Sequence, residues 1–456
     1  MVDYAYRGGR EQGWEILRRG RCVLRLGPGY VAVESRLCGI CATDLARRHL
    51  PFPLPQITGH EVVGRYQGQR VVVEINASHR ARGLAAACPY CARGLDSHCP
   101  QRLTLGIDRL PGGFAPWILA PVAALHTLPA GVSDEMAVLV EPLAAAIQAL
   151  RATPPRHGQR IAVLGPRRLG MLLLVALLDY REHRQQDFEL TALARHPELR
   201  QAALALGADR AMAPENAPAA AFQHVFDTTG SVAGLARALE LASETVHLKS
   251  THGQTAFGLS QLTTLVIDEI ALLPAHGERR NPAWADDTGG EIYVSPAVPA
   301  AQVAAWRGRH PRTSWCQAHP DDASPTTPLG RFDAALVDGR AAVDAVLRAG
   351  LVRPRGVLHW LQPAGDDDAL ARALARGVAL HSSRCGPFGE AIALLARAGE
   401  RARRLADELI SHRFDSTHID QAFAMAADSR QARKVVVRPV CAKGPVADSK
   451  KASRRR

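Results

Sequence analysis

The sequence predicts an α/β protein: a β-barrel segment, then a doubly wound parallel sheet enlarged by a duplicated half. Three observations lead there. Up to about Leu150, short β-prone runs alternate with Gly- and Pro-rich turns; from Arg160, strand and helix patterns alternate; and from Glu291 that alternation recurs in the same order.

The first segment contains YVAVESRL, GQRVVVEI and APWILA, each bounded by turn residues, which reads as an all-β, partly open barrel. Apolar helical stretches follow around Met136 to Leu150. At Arg160 the pattern changes. RIAVLG is a buried strand, LGMLLLVALLDYREH a helix apolar on nearly all sides, FELTALA the next strand, and PELRQAALALGA a helix ending at Gly207. HVFDTTG is a third strand with a polar exit, followed by VAGLARALELA, TVHLKS and LTTLVIDEIALL.

The second half of this unit, about Asp187 to Ala275, recurs at about Glu291 to Ser383. EIYVSPAVPAAQVAAW parallels FELTALARHPELRQAA, the stretch from RFDAALVDG parallels HVFDTTG onward, and ALARALARGVALHSS parallels LSQLTTLVIDEIALLP. The shared order of elements and the paired Phe226-Asp227 and Phe332-Asp333 favour duplication over the general likeness of βαβ pieces. The polar HGERRNPAWADDTGG reads as a connector.

At 456 residues and 47% hydrophobic content the chain is long enough for two or three cored domains. It has no apolar run of about eighteen residues, so no membrane span is expected. The polar start, MVDYAYRGGREQ, lacks a secretory core, and a cytoplasmic setting is the expectation. Nine scattered cysteines do not make a disulfide framework. Of the +12 net charge, the tail Ala442 to Arg456 carries six basic residues and one acidic. That tail reads as solvated and disordered, and no aromatic-interleaved basic stripe points to nucleic acid.

Chemistry concentrates first in CGICATD (Cys38 to Asp44) and TGHEVVG (Thr58 to Gly64). A zinc ion takes thiolate, imidazole and carboxylate in a tetrahedron, with one position left for water or substrate. Cys41 and His60 are the candidate thiolate and imidazole; Glu141, in EPLAAA, and Glu61 are both candidate oxygen ligands. Thr43 stands two residues beyond Cys41, where its hydroxyl would contact a substrate oxygen, and Asp44 is placed to orient the ligands.

CGICATD, TGHEVVG and EPLAAA, in this order, resemble the zinc-containing medium-chain dehydrogenase family, to which sorbitol, threonine and glucose dehydrogenases belong. The likeness runs from about Ser35 to Val437, interrupted by the extra repeat. It implies a GroES-like zinc catalytic domain over residues 1–150 and a Rossmann-type nucleotide-binding domain over 151–275. An inserted repeat of the second Rossmann half would follow over 276–383, a return to the catalytic domain over 384–441, and the basic tail over 442–456. The implied active site lies in the cleft between the two domains. The implied reaction moves a hydride between a nicotinamide cofactor and an alcohol, polyol or amino-alcohol and its carbonyl partner, with zinc polarising the oxygen and Thr43 passing the proton. The resemblance also implies a homodimer or homotetramer, or a monomer if the extra repeat covers the edge used for pairing.

The chain departs from the family pattern in three places. Cys88, Cys91 and Cys99 resemble three of its four structural-zinc cysteines, but the first falls at Ala85; either His79 or His98 completes the site, or it holds no zinc. The glycine loop reads Gly165-Pro166-Arg167-Arg168-Leu169-Gly170, with Arg167 in place of the middle glycine that lets backbone approach the pyrophosphate. After the second strand, Arg195 and His196 stand where an NAD site has an acid, which favours NADP(H) over NAD(H). Thr229, in DTTGS, and Lys249, in KSTHG, would line the ribose and nicotinamide ends. These departures also support a second reading, a decayed homologue serving as a non-catalytic binding or scaffold protein.

Overall fold

The computed structural model describes residues 4–46, 57–84, 88–249, 255–274, 290–361, 368–428 and 430–440. The tail 442–456, Ala85 and nearly all of the connector before Glu291 lie outside the described residues. The chain divides into two compact units: Met1–Pro142 with Phe388–Arg456, and Leu143–Pro387.

The first unit opens with strands β1 (Tyr4–Gly9), β2 (Gly13–Arg18), β3 (Arg21–Leu26) and β4 (Tyr30–Gly39), then the short helix α1 (Ala42–Ala46). Strands β5 (Glu61–Tyr66), β6 (Gln69–Val73) and β7 (Asn76–Ala77) follow, then α2 (Pro89–Ala92), β8 (Leu103–Leu105), β9 (Arg109–Leu110), β10 (Trp117–Pro121) and β11 (Leu125–Thr127). Helices α3 (Asp134–Ala137) and α4 (Val140–Ala152) lead out, and the unit boundary falls inside α4.

The second unit contains β12 (Arg160–Leu164), α5 (Arg168–His183), β13 (Glu189–Leu193), α6 (Pro197–Leu206), β14 (Arg210–Met212), β15 (Phe222–Asp227), α7 (Val232–Leu241) and β16 (Ala242–Leu248). It continues through α8 (Leu262–Ile267), β17 (Ala271–Pro274), β18 (Glu291–Val294), α9 (Ala300–Arg309), β19 (Ser314–Gln317), β20 (Phe332–Val337), α10 (Arg340–Ala349), β21 (Val352–Trp360), α11 (Ala369–Ala375) and β22 (Ala379–Ser382). The chain then returns to the first unit with α12 (Phe388–Leu409), β23 (Ile410–Asp415), α13 (Ile419–Ala427) and β24 (Lys434–Arg438).

The main sheet of the first unit runs β11-β6-β5-β4-β24-β23, with β10 also on β4. Valine-rich β5, β6 and β24 supply its core through Val62, Val71, Val73, Val435 and Val437. Register sets Gly39 opposite Glu61 and Cys38 opposite Val62, so the end of β4 and the start of β5 bring the two candidate ligand motifs side by side. The returning β24 pairs with the same end of β4, Val437 opposite Cys38.

Among the described residues the second unit holds a sheet of 11 strands, β14-β13-β12-β15-β16-β22-β17-β21-β20-β18-β19. Its first six strands are all parallel. They have the doubly wound order in which the strand order reverses between β12 and β15. Helix α5 is buried along Gly170 to Leu178, as an all-round apolar helix must be. Gly207 ends α6 at φ 116, a conformation that glycine adopts without strain.

The segment β18-α9-β19-β20-α10-β21-α11-β22 repeats the order β13-α6-β14-β15-α7-β16-α8-β17. The two copies exchange their last strands. β16 pairs parallel with β22 and β21 pairs parallel with β17, while β17 and β22 meet antiparallel at Leu272 and Leu380. Among the described residues the second copy has no counterpart of β12 or its glycine loop, and β18 pairs directly with β20.

The paired Phe-Asp dipeptides need correction. Both β15 and β20 shift register just after their first residue, Phe222 and Phe332, so these two phenylalanines correspond. Phe226-Asp227 lies at the far end of its strand and aligns with Leu336-Val337. A dipeptide match counts letters, whereas strand register follows the ladder. No helix among the described residues is long and apolar enough to cross a membrane.

Candidate active site

Cys41, His60 and Glu61 offer ligand atoms that all lie within 4.8 Å of one another. Asp44 ties the Cys41 turn to the Gly59–His60 turn. Its carboxylate accepts from the Cys41 amide at 2.8 Å and the Gly59 amide at 3.1 Å, and it stands 3.6 Å from His60 Nδ1. Burial disfavours a charged His60, yet Asp44 and Cys41 outweigh it and raise its pKa well above the ordinary imidazole value. The surroundings therefore favour positive charge at this point, which a divalent cation would supply. Thr43 is half-buried, with its hydroxyl 3.9 Å from Cys41 Sγ.

Glu61 is 1% exposed and forms an ion pair with Lys434, whose ammonium also donates to the Ile40 carbonyl at 3.2 Å. Gly39 makes room for it: a Cβ there would collide with the Glu61 carboxylate. Glu141, in the first turn of α4, is half-buried and lies outside the three-residue set. Lys434 is a site residue that sequence reasoning missed, since no local signal links the start of β24 to the residue after His60.

A second cluster gathers His79, Cys88, Cys91 and Cys99 within the same limit. His79 Nδ1 lies 3.1 Å from Cys99 Sγ, and Cys88 Sγ lies 3.8 Å from it. Of the two candidate substitutes for the fourth cysteine, His79 is in the set. His98 Nδ1 instead faces the Ser97 hydroxyl at 3.1 Å.

In the second unit the glycine loop joins β12 to α5. Gly165 has φ +79, and a Cβ on it would press against Thr229 at 2.8 Å. A Cβ on Gly170 would meet Thr228 Oγ1 at 2.7 Å. The Thr228 hydroxyl donates to the Leu164 and Gly165 carbonyls at 3.0 and 2.8 Å, and Thr229 donates to Asp227 through both its amide and its hydroxyl. The DTTG turn therefore packs directly beneath the loop. The N–H groups of Arg168, Leu169 and Gly170 begin a 16-residue helix, where first-turn donors and the helix dipole favour an anion. The Arg167 backbone stands just before the helix with φ −94 and ψ −136, outside both the helical and the extended regions.

After β13, exposed Arg195 pairs with Glu215 at 3.4 Å and His196 stands 3.8 Å from Glu198. Arg200, which sequence reasoning missed, donates to the carbonyls of Ala194 and Arg195 at 2.8 and 2.7 Å. Lys249, expected at the nicotinamide end, is buried, with its ammonium on Ser383 O at 2.8 Å, Ser383 Oγ at 3.0 Å and Arg384 O at 3.1 Å.

The first unit is thus barrel-like and carries a Cys-His-Glu cluster, and the second is a doubly wound sheet with a glycine loop. Residues 27–130 match the alcohol dehydrogenase GroES-like domain. The chain is 32% identical over 159 residues to sorbitol dehydrogenase from Halalkalibacterium halodurans, a match covering 32% of this chain and 45% of that one. It is 33% identical over 177 residues to (R,R)-butanediol dehydrogenase from Bacillus subtilis, covering 33% and 48%. The matched stretch thus spans less than half of each relative's length. Among solved structures, L-idonate 5-dehydrogenase from Escherichia coli aligns over 95% of this chain and 97% of its own, with TM-score 0.56 and 15% identity. A zinc-binding dehydrogenase from Sinorhizobium meliloti, bound to NADP, aligns over 96% and 100%, with TM-score 0.53 and 18% identity. At such identities the structures speak for the fold alone. Residues 27–130 thus resemble the alcohol dehydrogenase GroES-like domain, and beyond them the likeness to those structures is one of fold.

Proposed function

We propose that this protein is a zinc-dependent oxidoreductase acting on a small alcohol or polyol and its carbonyl partner, with NADP(H) favoured over NAD(H). The observation that carries this reading is the convergence of Cys41, His60 and Glu61 within 4.8 Å under the grip of Asp44. Cys41 and His60 would hold a catalytic zinc with Glu61 or Glu141 as the oxygen ligand. Cys88, Cys91, Cys99 and His79 would hold a structural one, since three thiols and an imidazole make a closed Cys3His set. When bound, zinc would supply Lewis acidity toward the substrate oxygen, and the nicotinamide would supply the hydride chemistry.

This chain's residues do the rest. Asp44 keeps the Cys41 and Gly59 amides, and so both ligand turns, in one geometry. Thr43 places a hydroxyl next to Cys41, where it would relay a proton, accepting that of the substrate alcohol as it passes its own on toward solvent. The first-turn amides of α5 would receive a pyrophosphate, and the Arg195 and His196 side chains suit a 2′-phosphate. Gly165, Arg167, Leu169, Gly170 and Thr229 would line that loop. A cytoplasmic setting and a homodimer or homotetramer belong to the same proposal.

The second reading, a homologue that no longer binds coenzyme, rests on Arg167 at the middle glycine position. One experiment separates the two: titration with NADPH and NADH followed by nicotinamide fluorescence, with zinc counted by mass spectrometry. Micromolar NADPH binding, weaker NADH binding and zinc in the protein support the enzyme. Failure of both nucleotides at millimolar concentration favours the non-catalytic homologue.

A further inference from the structure

The two copies in the second unit make the same turn into their last strand. Helix α8 ends, Asp268 and Glu269 follow, and β17 begins; α11 ends, Arg376 and Gly377 follow, and β22 begins. The closing hydrogen bonds correspond: Ile270 N to Leu265 O at 2.8 Å, and Val378 N to Ala373 O at 3.0 Å. Both turns need a left-handed residue, with φ +53 at Glu269 and φ +87 at Gly377. Glycine adopts this conformation freely and glutamate does not. A glutamate kept at a glycine position points to work done by its side chain.

That side chain is buried, with Glu269 2% exposed. Its Oε1 accepts from the Arg384 amide at 2.9 Å, and its Oε2 accepts from Arg355 Nε at 2.7 Å. Arg355, on β21 of the second copy, is itself left-handed at φ +61, and its amide donates to the Asp268 carbonyl at 2.7 Å. Two unfavourable backbone conformations thus face each other across one ion pair. Residues 382–384 are held from every side. The Ser382 hydroxyl donates to Leu265 O at 2.7 Å, Glu269 holds Arg384 N, and Ser383 is gripped by Lys249 and by His247 Nε2 at 2.9 Å. Lys249 stands at the carboxyl end of β16, the edge at which doubly wound sheets bind their ligands.

We infer that Glu269 is a positioning residue for the coenzyme: tied to Arg355 of the second copy, it fixes the Ser383–Arg384 turn against Lys249 at the carboxyl edge of β16, so that the inserted copy is part of the coenzyme site. The inference rests on the coenzyme-binding reading above. It explains why the exchanged strand β22 is anchored beyond its ladder, and why a glutamate occupies a turn that its sister copy makes with glycine.

The test compares NADPH dissociation constants and melting temperatures for the full chain and two variants. Glu269→Gly relieves the backbone conformation and removes the carboxylate. The expected result is an unchanged or higher melting temperature with NADPH binding at least tenfold weaker. Gly377→Ala strains the equivalent turn of the other copy; it should lower the melting temperature and leave the NADPH constant within twofold. A role in stability alone would link the two readouts. The inference is overturned if Glu269→Gly binds NADPH like the unmodified chain, if it loses binding only in step with its melting temperature, or if it does not fold. If the unmodified chain binds neither nucleotide, the coenzyme reading itself falls, and this inference falls with it.

Discussion

Lys434 and Glu61 form an ion pair with both side chains buried, 4% and 1% exposed, immediately beside the candidate zinc ligand His60. Residues far apart in the chain meet because β24 and β5 flank the same end of β4. The pair leaves Glu61 a choice of partners, the ammonium or a metal.

Replacing Lys434 by Met should therefore cost about 3–5 kcal/mol, the range for stranding one member of a buried pair. Urea unfolding measures it. The double variant Lys434→Met with Glu61→Gln should recover most of that loss, because no uncompensated charge is then buried. A Lys434→Met chain as stable as the unmodified one would mean that Glu61 is neutralised some other way.

Metal content checks the second cluster. The native chain should carry two zinc ions, one on Cys41 and His60 and one on the Cys3His set. His79→Ala should bring the count to about one and expose the cysteine loop to thiol reagents, while His98→Ala should leave it at two. Equal retention in both variants would remove His79 from the ligand set.

Acid should destabilise the second unit. Burial, then Lys249, His381 and His224, lower the His247 pKa well below its usual 6.5, and burial pushes those of His359 and His381 down to about 4. A base depressed in the folded state contributes stability that is present above pH 6.5 and lost as the pH falls. Asp227 acts in the opposite sense: burial pushes it up to about 6, so its contribution is present below 3.8 and lost as the pH rises through 6. Three groups oppose one, and the urea midpoint should fall between pH 6.5 and 4. Asp227→Asn should make that fall steeper, because it removes the one opposing group among these four. A flat or shallower profile would contradict the assignment.

Coenzyme selectivity tests the cations after β13. Arg195→Ala should weaken NADPH about tenfold and leave NADH unchanged, the effect of losing one exposed phosphate partner. Arg167→Gly should strengthen both nucleotides equally if that side chain crowds the pyrophosphate, and weaken both if its guanidinium pairs with phosphate. Competitive fluorescence titration distinguishes these outcomes.

Features that depend on local pattern are legible in the order of the residues alone. Alternating β-prone runs marked the first unit, and strand–helix alternation marked the doubly wound sheet. CGICATD and TGHEVVG set out Cys41, Asp44 and His60, and the glycine loop announced its own substitution at Arg167. Which distant groups meet is fixed by the folded chain. It chose His79 over His98 for the cysteine cluster, set Lys434 against Glu61, and exchanged β17 and β22 between the two copies. The physical reason is that periodicity is written into neighbouring residues, whereas a strand edge accepts any partner of matching length and direction. β17 and β22 are near-equivalent partners for β16, and the choice between them depends on contacts that no local stretch of chain records.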